Sequence, residues 1–115
     1  MEYLLLIYNS EAETGKMSEA ERGVMYQEFM ALTKSMQQSG HHRAGQQLQP
    51  IATATTVRVR DGKRLVTDGP FAETREQLGG FYWIEAKDLD EALAIAERVP
   101  SARWGSVEVR PIVSR

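Results

Sequence analysis

The chain has 115 residues, 42% of them apolar and 26% charged, with a formal charge of −2 and no cysteine. That length supports one core rather than two, so residues 1–115 are expected to form one domain, and the composition is that of a folded globular chain. The slight acidity argues against a nucleic-acid partner, which asks for a basic face, and the lack of cysteine excludes disulfides, thiolate nucleophiles and thiolate-ligated metals.

The first element is the unbroken apolar run Tyr3-Leu4-Leu5-Leu6-Ile7-Tyr8. It is too short to span a membrane and has no basic flank of the signal-peptide kind, so no membrane partner and a cytoplasmic address are expected. An uninterrupted run of this length reads as a strand buried on both faces. Asn9 to Lys16 is polar and contains Gly15, which reads as a loop.

Ser18 with Glu21 three residues on is a capping-box pattern, and Met25, Phe29, Leu32 and Met36 follow as one apolar helical stripe. The spacing predicts a helix over 19–39, stopped by Gly40. His42 to Leu48 reads as a short, partly exposed strand ahead of Pro50. Thr55–Arg60 and Lys63–Thr67 flank Asp61-Gly62, the preferred chemistry of a two-residue hairpin turn.

Asp68 to Gly80 reads as a loop with a short helical turn around Thr74–Leu78. Phe81–Ile84 is a second continuous apolar strand. Asp88 and Glu91 then cap a helix that presents Leu89, Ala92, Leu93, Ala96 and Val99, closed by Pro100. Val107, Val109 and Val113 alternate with Glu108 and Arg110 in a last strand, which Pro111 assigns to an edge.

Strand, helix, strand, inserted hairpin, strand, helix, strand is the order of an α+β, ferredoxin-like split βαβ fold with an extra β-hairpin. In such a fold both helices lie on one face of the sheet, yet the strands at Leu4–Tyr8 and Phe81–Ile84 are apolar on both. At roughly 25 cal/mol per Å2, leaving the second face open forfeits several kcal/mol, so a homodimer is expected; the alternative is that the Asp68–Gly80 loop folds back over it.

The stretch Asp68-Gly69-Pro70-Phe71-Ala72-Glu73-Thr74-Arg75-Glu76-Gln77-Leu78-Gly79-Gly80-Phe81-Tyr82 resembles the signature of the DGPF branch of the YCII-related proteins. The similarity extends through Tyr3–Tyr8, Ala54–Arg58 and Gly105–Pro111, and so covers nearly the whole chain. It implies a dimeric α/β-barrel in which two ferredoxin-like sheets close face to face. Many of the wider YCII-related proteins carry a His and an Asp in a cleft, and one relative removes chloride from a chlorinated hydroxyquinol. DGPF proteins are often encoded beside extracytoplasmic-function sigma factors. Aligned on Gly40, the helix position that holds His in those relatives falls near Phe29, so no catalytic His is carried across.

The candidate chemistry lies around the loop. Asp68, Glu73 and Glu76 bring three carboxylates into nine residues, and a buried pair among them would separate in pKa and act on protons near neutrality. Asp68 in an Asx-turn and Glu73 as a cap is the competing structural reading. His41 and His42 are the only imidazoles, and His42, further into its strand, is the candidate general base with Asp68 and Glu73. Tyr26, Phe71, Glu76 and Tyr82 are the candidate contacts for a small molecule, the aromatic residues reading equally as core or anchor.

His42, Asp68 and Glu73 would also make a mixed metal-ligand set, but no spacing requires one, and neither metal nor organic cofactor is assigned. Two functions remain. One is a cofactor-independent enzyme using acid–base chemistry in a pocket near the loop; the other is a non-catalytic ligand-binding or regulatory accessory protein linked to sigma-factor systems.

Overall fold

A computed structural model describes residues 1–115. The elements run β1 (Glu2–Asn9), α1 (Glu11–Thr14), α2 (Glu19–Ser39), β2 (His42–Gln47), β3 (Thr55–Arg60), β4 (Lys63–Asp68), β5 (Gln77–Glu85), α3 (Leu89–Ala96) and β6 (Ser106–Pro111). Short 3₁₀ turns at Ile51–Thr53 and Pro100–Arg103 complete the path. No helix is long and apolar enough to cross a membrane.

β2, β5, β1 and β6 form a four-stranded sheet in that order, antiparallel at every pairing. This α+β arrangement is consistent with the ferredoxin-like expectation, with β3 and β4 inserted between the second and third strands of the sheet.

Helix α2 starts where the capping box predicts: the Glu21 amide donates to Ser18 Oγ at 3.1 Å while Glu21 Oε1 accepts from the Ser18 amide at 3.0 Å. It ends at Gly40, whose φ of 81° lies in the left-handed region that costs a residue with a side chain. Of the predicted stripe, Leu32 and Met36 are buried and Phe29 packs against the core, while Met25 is half-buried. One turn of helix, α1, stands in the expected loop because Ser10 caps it, accepting from the Glu13 amide.

The core lies between the helices and one face of the sheet. Tyr3, Leu5 and Ile7 of β1 and Tyr82 and Ile84 of β5 meet Leu32 and Met36 of α2 and Ala92, Ile95 and Ala96 of α3. The alternate residues Leu4, Leu6 and Phe81 are only partly covered, and Trp83 is 38% exposed. Burial on both faces, the expectation for these runs, is therefore not met within one chain: both helices cover the same side.

Three other expectations need correction. β5 begins at Gln77, so Thr74–Leu78 contains no helical turn; antiparallel pairing with β1 and β2 draws Gly79 and Gly80 into the strand. Helix α3 buries Ala92, Ile95 and Ala96 and leaves Leu89 and Leu93 exposed, because its small residues let it lie close on the sheet. The helix also ends at Ala96, and Pro100 opens the following 3₁₀ turn instead of closing it.

β3 and β4 make a two-stranded sheet of their own, joined through Asp61 and Gly62, both at positive φ as the hairpin turn requires. Every residue of β4 is exposed. The radius of gyration is 16.1 Å, against about 13 Å for a compact chain of this length, and the molecule measures 47 × 44 × 19 Å. It is a thin slab, one helix layer on one sheet, with the hairpin outside it.

Candidate functional site

The loop after β4 is fixed at both ends and open in the middle. At its start the Gly69 amide donates to Ala54 O (2.7 Å) and Thr56 Oγ1 donates to Gly69 O (2.8 Å). At its end Thr74 Oγ1 donates to Glu76 O and Gln77 Nε2 to Thr74 O, while Gln77 Oε1 accepts from the Glu11 amide. Between them Phe71 is 76% exposed, so its expected role as a core anchor is not seen; only its carbonyl is held, by Arg58.

Of the three loop carboxylates, Glu76 accepts a 2.8 Å hydrogen bond from Ser106 Oγ, which ties the loop to β6. Asp68 and Glu73 are exposed and take no partner within the protomer, neither the expected turn amides nor a cation. They are free acceptors on the molecular surface.

His42 lies elsewhere. It opens β2 opposite Ile84, half-buried on the helix side, with its ring 6.1 Å from that of Tyr82 in an edge-on arrangement. Tyr82 is a core residue: its hydroxyl donates to Thr33 Oγ1 (2.8 Å), which in turn donates to Phe29 O (2.9 Å). Burial pushes the phenol above its ordinary value of 10.0, which keeps it neutral and able to donate.

Within one protomer, then, no hydrogen bond or ion pair joins His42 to Asp68 or Glu73, and no group of three His, Asp or Glu side chains is placed to hold a metal ion. Tyr26 is exposed on the outer side of α2, apart from both groups. The seven candidate residues are distributed over three places: the loop, the helix–sheet layer and the outer helix surface.

The other histidine, set aside in the sequence, makes the better-connected set. Ser39 Oγ lies 2.6 Å from His41 Nδ1, and His41 Nε2 lies 3.1 Å from Glu91 Oε1. The same carboxylate accepts the Lys87 amide at 3.0 Å, and this bond, followed by that to His41, holds Glu91 below its ordinary 4.5 against the opposing effect of burial. With Nε2–H donating to Glu91, Nδ1 is an acceptor, and the one Ser39 hydroxyl proton is shared between it and Met36 O, 3.2 Å away. The order hydroxyl, imidazole, carboxylate is the one used by hydrolytic triads.

The position, however, is a joint. His41 links the end of α2 to the cap of α3, and its carbonyl accepts the Glu85 amide of β5 at 2.8 Å. The usable signal in the sequence was Glu91, already marked as a capping residue, placed to meet a histidine just past the helix-ending Gly40.

A continuous surface with binding character is the uncovered sheet face. Register sets Trp83, Leu4 and Arg110 in one row and Phe81, Leu6 and Glu108 in the next, with Ala44 and Gln46 on the outer strand beside them. The Trp83 indole N–H donates to the Glu2 carboxylate at the rim. An apolar centre with a few polar groups at its margin is the composition of ligand pockets and interface cores alike.

The family is established by comparison with known sequences. A model of the YCII-related domain matches residues 1–114, and the chain belongs to that family. It is 40% identical over 114 residues to "Uncharacterized protein R00369" of Rhizobium meliloti (strain 1021), covering 97% of this chain and 92% of that protein.

Proposed function

We propose that this member of the YCII-related family, of its DGPF branch by the Asp68–Tyr82 stretch, works as a homodimer that binds a small molecule between two facing sheets. The observation that carries the reading is the one-sided cover of the four-stranded sheet. Helices bury Tyr3, Leu5, Ile7, Tyr82 and Ile84, and nothing in the chain buries Leu4, Leu6, Phe81 and Trp83 on the other side. Two such sheets stacked about 10 Å apart cover one another's apolar rows. Gln46, Glu108 and Arg110 then give the space between them its few polar groups, and a two-fold axis doubles each.

Asp68 and Glu73 support a catalytic version of this reading, since carboxylates without a partner in their own protomer remain available to a ligand or to the second copy. In that version they serve in proton transfer with Phe71 and Glu76 beside them on the loop, whereas His42 and Tyr82 on the helix side of the sheet and Tyr26 on the outer surface of α2 lie away from the space between the sheets. In the non-catalytic version the same loop contributes binding alone.

Sedimentation equilibrium at micromolar concentration tests the assembly, with wild type expected as a dimer and Leu6→Asp as a folded monomer. A monomeric wild type, or a Leu6→Asp variant that still dimerises, rejects it. Once a ligand is found by thermal-shift screening, Asp68→Asn separates the versions: lost turnover with retained affinity marks an enzyme, lost affinity a binding protein.

A further inference from the structure

The β3–β4 hairpin is the part of the molecule that its own chain leaves most exposed. A two-stranded ribbon alone is marginal in water, and the bonds at the base of this one, from the Gly69 amide, the Thr56 hydroxyl and the Arg58 guanidinium, go to Ala54, Gly69 and Phe71 of its own flanking segments. Its two faces differ. Val57 pairs with Val66 and Val59 with Arg64 on one, while Arg58 pairs with Leu65 and Arg60 with Lys63 on the other. Val57, Val59 and Val66 are 60%, 64% and 52% exposed.

We infer that this hairpin is an assembly arm whose Val57–Val59–Val66 face docks on a second copy of the chain; the inference rests on the homodimer reading above. Charge supports a second copy as the occupant. The arm carries Arg58, Arg60, Lys63 and Arg64 against Asp61 and Asp68, whereas the remaining chain has 10 basic and 14 acidic side chains. None of the four arm cations forms an ion pair within its own protomer. Arg64 lies on the docking face, where it meets the acidic body of the second copy directly, while Arg58, Arg60 and Lys63, on the opposite face, contribute through the net positive charge of the arm.

Reach supports it as well. Six residues per strand extend about 20 Å, enough to cross a four-stranded sheet whose strands are spaced about 4.8 Å apart. One two-fold association therefore covers both of the apolar surfaces that the isolated chain leaves open, the sheet face and the arm. Neither surface needs a partner of a different kind.

Amide hydrogen exchange at concentrations above and below the dimer dissociation constant tests the arm directly. In the assembled wild type, amides of residues 55–68 exchange about tenfold or more slowly than in the dilute protein. The double variant Val57→Asp, Val66→Asp loses that protection and dimerises about tenfold or more weakly, while the α2 amides around Leu32 and Met36 stay protected. Arm amides that exchange equally fast in dimer and monomer overturn the arm while the sheet-face dimer stands. Leu6→Asp that leaves the dimer intact, with the arm still protected, overturns the sheet-face contact instead. A wild type that never assembles removes both, and a dimer unaffected by the arm variant, with the arm protected only by a different protein, gives the arm to that protein.

Discussion

The four-stranded sheet and the β3–β4 arm are both antiparallel and rich in β-branched and aliphatic residues, yet one has a filled core on one side and the other has none. The difference is placement. The long strands are separated in sequence by α2 and α3, and each helix packs back on the strands that flank it. The arm closes on itself through Asp61-Gly62 and never meets a helix. Local turn chemistry is enough to form a ribbon, and burial by a second layer is what makes a sheet stable alone.

Substitutions that probe the two regions separately give the largest contrast. Ile84→Ala or Leu5→Ala, at fully buried positions, lowers the unfolding free energy by about 3 kcal/mol in urea titrations. Val57→Ala on the arm changes the stability of the monomer by less than about 0.5 kcal/mol. Equal losses at the two sites would show that the arm is part of the monomer core.

A smaller effect tests whether helix ends or helix faces set the stability of the covered side. Ser18→Ala removes one half of the capping box and costs about 1 kcal/mol, and Gly40→Ala costs about 1 kcal/mol by forcing a side chain into the left-handed region. Both are read from the urea midpoint, with the arm amides unaffected.

The smallest effect is a pH dependence at the joint between α2 and α3. Glu91 is held below its ordinary 4.5, mainly by the Lys87 amide and then by His41. A depressed carboxylate contributes stability above its unfolded-state value, and the contribution is lost as the pH falls through the folded-state value. Glu91→Gln is therefore less stable than wild type near neutrality, and the gap closes below pH 4.5. A gap that persists unchanged in acid rejects the ionic contribution of this residue.

Much of the architecture was legible because it depends on local chemistry. Ser18 with Glu21, Gly40 and Asp61-Gly62 each mark a backbone event that neighbouring residues alone decide. What depends on distant partners was not. Gln77–Gly80 reads as a loop by its glycines, and only pairing with β1 and β2 makes it strand. Phe71 reads as an anchor because it is apolar, but no surface of its own chain lies over it.

The histidines show the same limit. A register irregularity between His42 and Ala44 breaks the simple alternation at the start of β2, and it was Glu91, fifty residues away, that gave His41 its partner. For the candidate site the sequence supplied residue types, and those residues lie in places that one protomer does not bring together.

The strand order has a consequence for how the chain acquires its structure. β1 and β2 belong to the N-terminal half and β5 and β6 to the C-terminal half, but the sheet reads β2-β5-β1-β6, so the halves alternate and no two strands of the same half are paired. The arm is the one strand pairing that closes locally. Every bond of the main sheet waits for loop closure over a long stretch of chain, which is slow relative to helix and hairpin formation. During synthesis α2 and the arm can form as soon as they emerge, while β1 and β2 stay without a neighbour until residues 77–85 arrive. The main sheet therefore cannot begin before β5 is present, and a chain truncated before β5 has no sheet beyond its arm.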